Sequence, residues 1–188
     1  IDFEDVRVSR NDFLSIKDSG LMKDGTEIPF NQLPCINIDG ESYGQTAGIA
    51  RLCGKLSGLY PKNDLIKSIK VDQIIDLITD ITVIISPTLR EKDESKKKIM
   101  REELFNGILT KKFSLLENVL KKNNNNYSVD NEMSIADIAI WRLMGWVKSD
   151  SLEYFPKNIL SFYPFIEKIY NNINKNEKIL AWVKKTYK

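Results

Sequence analysis

The groups best placed to do chemistry lie close together, between residues 28 and 51. The run Gln32-Leu33-Pro34 opens an apolar stretch, Asp39-Gly40 interrupts it, and Gln45-Thr46 precedes Ala47-Gly48-Ile49-Ala50-Arg51. Pro34 lacks a backbone donor, so at the start of a strand it marks a sheet edge or a special turn. Asp-Gly between apolar runs is a strong two-residue hairpin signal. Gln45-Thr46 falls where a helix should begin, and there the free N–H groups and the helix dipole favour an anion. Taken alone, Thr46 is also an ordinary residue near an N-cap. Together these parts suit an extended peptide that carries a carboxylate at one end.

Composition narrows the chemistry. The chain has 188 residues and no histidine, which excludes a Ser-His-Asp triad and histidine-based metal sites. Acid–base work falls to tyrosine, lysine, carboxylates or a substrate's own thiol. Lys and Arg number 28 against 26 Asp and Glu, a formal charge of +2, so no strong pull toward nucleic acid follows. No apolar run is long enough to span a bilayer, so no membrane partner is expected. Two cysteines, Cys35 and Cys53, are too few for a disulfide framework. A reducing cytoplasm is the simplest reading. Both fit apolar positions and read as packing rather than as nucleophiles.

The elements that must position these groups read as follows. Residues 1–9 suggest a strand through Phe3, Val6 and Val8, Asn11 to Lys17 a short helix, and Cys35 to Tyr43 the hairpin. A helix runs from Gln45 to about Leu56, and Gly58-Leu59-Tyr60-Pro61 breaks the chain. Beyond it the pattern is helical throughout. Leu65 through Ile74, Ile78 and Ile81 keep helical spacing, and Ile99 to Leu120 repeats it through Phe105, Ile108, Leu109, Phe113, Leu116 and Leu120. Asn123 to Asn126 is a polar loop. Ser134 and Asp137 form a capping box at the head of a strongly apolar helix, where Met133 and Ile138 are placed as a hydrophobic staple. Two more helices, near 162–173 and 178–187, end the chain. The division is thus 1–58, a small α/β unit, and 62–188, an all-helical one.

Phe3-Glu4-Asp5-Val6-Arg7-Val8, Asp12-Phe13 through Lys17, Gln32-Leu33-Pro34, Gln45-Thr46 with Ile49-Ala50-Arg51, and Ser134-Ile135-Ala136-Asp137 stand in an order and spacing that resembles a cytosolic glutathione transferase. The resemblance is greatest to the sigma class, the class of haematopoietic prostaglandin D synthase. It implies a thioredoxin-like N-terminal domain, here without its first strand and helix, followed by an all-helical C-terminal domain. It implies a homodimer, and glutathione as co-substrate, its thiolate attacking a hydrophobic electrophile without a metal. The alternative is a non-catalytic binding protein of the same fold, ligandin- or crystallin-like.

The resemblance also implies residue roles. Leu33, before a cis Pro34, pairs its backbone with the cysteinyl unit of glutathione. Gln45 and Thr46 hold the γ-glutamyl carboxylate. Lys17 and Gln32 face the glycine carboxylate, with Phe13 as an apolar wall. Asp80 reaches across the dimer to the partner's γ-glutamyl ammonium. Phe13 stands where the sigma class commonly has Trp, and so loses an indole donor. Gln32 stands where a basic residue is common, and Thr79 where an acid is. The catalytic, thiol-activating residue is expected upstream of Ile1, so no residue of this chain is assigned to it.

Overall fold

The structure is a computed structural model and describes residues 2–186. It divides into two compact units, Ile1–Tyr60 and Pro61–Lys188.

In the first unit, α1 (Arg10–Ser19) begins at Ser9, whose Oγ accepts the Asp12 N–H at 3.1 Å, and ends at Gly20 in the left-handed region. A side chain at Gly20 would be strained. Its φ is +73°, and an added Cβ would meet Asn31 Oδ1 at 2.6 Å. A short 3₁₀ turn, Pro29–Asn31, follows. Strands β1 (Ile36–Ile38) and β2 (Glu41–Tyr43) then pair antiparallel, with Ile38 opposite Glu41. Both hairpin residues have positive φ, Asp39 at 52° and Gly40 at 88°, as a two-residue primed turn requires. Helix α2 (Thr46–Ser57) completes the unit and stops at Gly58.

Residues 2–9 correct the expected first strand. They join no ladder, and Phe3 and Val6 are largely exposed. A strand exists only through hydrogen bonds to a neighbour. Among the described residues the one sheet is β1–β2, so the apolar residues at 3, 6 and 8 have no strand to pair with. Ile1 lies outside the described residues.

The second unit is helical. Helix α3 (Leu65–Ile85) is capped by Asp64, which accepts the Lys67 N–H at 3.0 Å, and α4 (Glu94–Leu104) by Asp93 in the same way. A π-helical turn, Phe105–Leu109, joins α4 to α5 (Thr110–Asn123). The sequence pattern shows only one helical period there. The turn takes one extra residue, and the Thr110 hydroxyl donates to the Phe105 carbonyl.

Helix α6 (Ile135–Val147) is the core of this unit and packs on α3 and on α7 (Pro164–Asn174). Its capping box is formed as expected. Asp137 Oδ2 accepts the Ser134 N–H at 2.8 Å and the Ser134 hydroxyl at 2.9 Å, and Oδ1 accepts the Ser128 N–H at 2.6 Å. Burial pushes the Asp137 carboxyl above its ordinary value, and these hydrogen bonds oppose that rise. Glu117 of α5 caps α7, accepting from Phe165 N–H at 2.8 Å and Ile166 N–H at 2.9 Å. Arg101 of α4 is buried, and donates to Thr88 Oγ1 and to the carbonyl and carboxylate of Glu153. Helix α8 (Glu177–Thr186) ends the described chain; Tyr187, expected as its last residue, lies outside it.

Candidate functional site

The candidate site in the first unit is built from two chain segments that meet at Gly44. A Cβ added to Gly44 would lie 3.2 Å from the Phe30 ring and 3.3 Å from the Pro29 carbonyl. The turn at Pro29–Asn31 therefore packs directly under the end of β2. A side chain at Gly44 would crowd that approach. One segment continues from the turn into Gln32, Leu33 and Pro34. The other continues from Gly44 into Gln45 and Thr46. The contact fixes the two sets of residues near each other.

The turn itself is unusual. Phe30 (φ 61°) and Asn31 (φ 52°) are both left-handed, and Phe30 is exposed. Asn31 Nδ2 donates to the Lys17 carbonyl at 3.2 Å, which ties the turn to the end of α1. Ile28 N–H donates to the Gly20 carbonyl at 2.7 Å. These bonds bring α1, with Phe13 and Lys17, to the same region. Lys17 Nζ lies 5.7 Å from the Phe13 ring centroid, a cation–π distance. Lys17 is exposed and makes no ion pair among the described residues.

After the turn the backbone straightens. Gln32 is extended (φ −137°, ψ 143°) and the Leu33–Pro34 peptide is cis. The Leu33 N–H and C=O bond to no other backbone group among the described residues. They are a free donor and acceptor on an extended segment, beside but outside the β1–β2 ladder.

Gln45 has φ 71°, a conformation that favours glycine, and its side chain makes no cap bond. Its carbonyl accepts the Ile49 N–H at 3.0 Å, so α2 starts immediately after it. The N–H groups of Thr46, Ala47 and Gly48 precede the first intrahelical bond and are open to an anion. No acidic side chain lies in this first turn, and Thr46 is exposed.

Of the residues singled out from sequence, Phe13, Lys17, Gln32, Leu33, Pro34, Gln45 and Thr46 lie in this unit. Asp80 lies in the other, on α3. Its Oδ2 accepts from Lys112 Nζ of α5 at 3.0 Å. Sequence reasoning missed this lysine, because the pairing spans 32 residues and follows from the packing of α3 beside α5. It also missed the left-handed pair Phe30–Asn31 and the role of Gly44, which a Pro-Phe-Asn run does not announce. Cys35 and Cys53 are free, half-buried thiols. Trp141 Nε1 donates to Asn174 Oδ1 at 2.7 Å, and Met144 is fully buried, so both serve the helical core.

Residues 79–186 match the family model described as the glutathione S-transferase C-terminal domain. The chain belongs to the glutathione S-transferase family. It is 26% identical over 182 residues to glutathione S-transferase 2 of Manduca sexta, covering 97% of this chain and 83% of the relative. It is 26% identical to the haematopoietic prostaglandin D synthase of Rattus norvegicus over 186 residues, 98% of this chain and 84% of that one. The solved prostaglandin synthase D of Nilaparvata lugens superposes with a TM-score of 0.81 at 27% identity, over 99% of this chain and 86% of that structure. The fold is that of the family: a thioredoxin-like unit followed by a helical one.

Proposed function

We propose that this transferase binds glutathione along residues 32–34 and 45–46 and serves the transfer of its thiolate to hydrophobic electrophiles. The observation that carries this reading is the Gly44–Phe30 contact. It brings together the segment that leads into Leu33, whose backbone N–H and C=O are unpaired, and the segment that leads into the open helix N-terminus at Thr46. A tripeptide with a free α-carboxylate complements both. Leu33 pairs with its cysteinyl unit as a strand would. Thr46 supplies a backbone N–H and a hydroxyl to the γ-glutamyl carboxylate. Lys17 and Gln32 meet the glycine carboxylate, and Phe13 walls that end.

The chemical step is attack by the thiolate sulfur on an electrophilic carbon of the second substrate, with departure of its leaving group. The thiol must first lose its proton, which a hydrogen bond to the sulfur favours. The residues above orient the peptide so that its sulfur faces the electrophile. The names of the relatives, all glutathione transferases or a synthase of the same family, support this reading. A homodimer in the cytoplasm goes with it; among the described residues no helix is long and apolar enough to cross a membrane.

Conjugation of glutathione to a general aromatic electrophile tests the proposal. Measured on this chain and on one extended by the expected upstream segment, turnover that saturates in glutathione and falls on Thr46→Ala supports it, and absence of turnover in the extended chain contradicts it. A second reading, a binding protein of the same fold without catalysis, draws on the Lys112–Asp80 pair, which already neutralises the acid expected to serve a partner's ammonium. Turnover separates the two, since the second reading predicts glutathione binding without conjugation, while Lys112→Met reads whether Lys112 competes for Asp80: glutathione affinity rises if it does and stays unchanged if Asp80 plays no part.

A further inference from the structure

The helical unit contains a cleft of about 250 Å³ that the transferase reading does not use. It lies between α3 and α5, closed at one end by the loop before α6. Its apolar surface comes from Ile74, Val119 and Val129, and Lys70 and Lys122 are also among its lining residues. Ile74 and Val129 are buried, whereas Val119 is 40% exposed, an aliphatic side chain facing the opening. Neither Lys70 nor Lys122 makes an ion pair or a hydrogen bond among the described residues. Other lysines of the same helices, Lys67 and Lys112, are paired with Asp130 and Asp80.

The walls are fixed before any ligand arrives. Asn123 Nδ2 donates to the Tyr127 carbonyl at 3.3 Å and the Ser128 carbonyl at 3.0 Å, and Ser128 N–H donates to Asp137 at 2.6 Å. The loop wall is therefore held at both polar groups of the Ser128 backbone. The Ser128 hydroxyl, also in this wall, is the one buried side-chain polar atom without a hydrogen bond among the described residues. A buried polar atom of this kind is uncommon in a native fold.

Two free cations flanking a small apolar surface complement one chemical class. We infer that this cleft binds a small amphipathic carboxylate, its head group between Lys70 and Lys122 and its hydrocarbon tail on Ile74, Val119 and Val129. The cleft is smaller than the range of drug-sized pockets, roughly 300–1,000 Å³, so the tail is short, as in a medium-chain fatty acid. The lysines contribute as point charges, without the geometric selection of an arginine fork, so head-group charge decides binding more than head-group shape.

The test is calorimetric titration of the full chain with octanoate, and with 1-octanol as the uncharged counterpart. The expected result is saturable binding of one octanoate per chain, with octanol weaker by about tenfold or more. The double variant Lys70→Gln/Lys122→Gln should lose about the same factor, and Val119→Asp, at an exposed position, should abolish binding while leaving the thermal transition in place. Glutathione should neither displace octanoate nor bind differently in these variants. Three results overturn the inference: no saturation, equal affinity for octanol, or an unchanged double variant. Displacement of octanoate by glutathione also overturns it, since that would place the fatty acid in the transferase site.

Discussion

The two units reach stability by different means. In Pro61–Lys188 a continuous apolar core runs through α3, α5, α6 and α7, with Ile81, Phe113, Ile140, Leu143 and Ile166 wholly buried. Among the described residues of Ile1–Tyr60 the buried apolar side chains are Ile16, Ile28 and Tyr60. What holds that unit in shape is largely backbone: the Ser9 cap, the Gly20 carbonyl, the Asn31 side-chain bond to Lys17, and the two-residue turn at Asp39-Gly40. The difference teaches where recognition can be placed. The thin unit leaves backbone donors and acceptors open at Leu33 and Thr46.

The comparison can be broken by deleting side chains on each side of it. Phe113→Ala removes a wholly buried ring whose centroid lies 5.7 Å from that of Tyr163. It should cost about 3–5 kcal/mol, read as a shift of the denaturant midpoint at constant slope. Asp137→Ala leaves the Ser128 and Ser134 N–H groups without an acceptor inside a buried corner. It should cost about 2–4 kcal/mol by the same measurement. Ile16→Ala, the matching deletion in the first unit, should cost about 2 kcal/mol, at the low end for a buried isoleucine, because the buried apolar set around it is small. Hydrogen exchange sharpens the point. Amides of β1 and β2 should exchange faster than those of α6, since local opening follows local burial. Equal protection would remove the contrast.

Much of this architecture is legible in the chain because its signals are local. Asp39-Gly40 specifies a hairpin without help from elsewhere, and Ser134-Ile135-Ala136-Asp137 specifies a helix start through bonds that span three residues. The apolar period of α3 is plain despite its β-branched residues, because burial of Ile74, Ile78 and Ile81 outweighs their propensity. The features that were not legible depend on distant partners. Residues 2–9 carry a strand pattern that only a neighbouring strand could realise. The π-helical turn at Phe105–Leu109 inserts one residue into a periodic run without disturbing its composition. Lys112 meets Asp80 only once α3 and α5 are packed. At the candidate site, Pro34 and Thr46 stood out by residue type and spacing. The left-handed conformations of Phe30, Asn31 and Gln45 have no such signal, since none of the three is glycine.

Glutathione titration by calorimetry tests most directly the proposed bond from Thr46 to the γ-glutamyl carboxylate. Thr46→Val keeps the side chain's shape and removes its hydroxyl. The hydroxyl's charge-assisted bond is worth roughly 1.5–3 kcal/mol, so affinity should fall by about tenfold or more. Thr46 is exposed at the first residue of α2, so the thermal midpoint should move little. That result would place recognition at the open helix end. Saturable binding with the same affinity in Thr46→Val, or no binding by the unaltered chain, would contradict it.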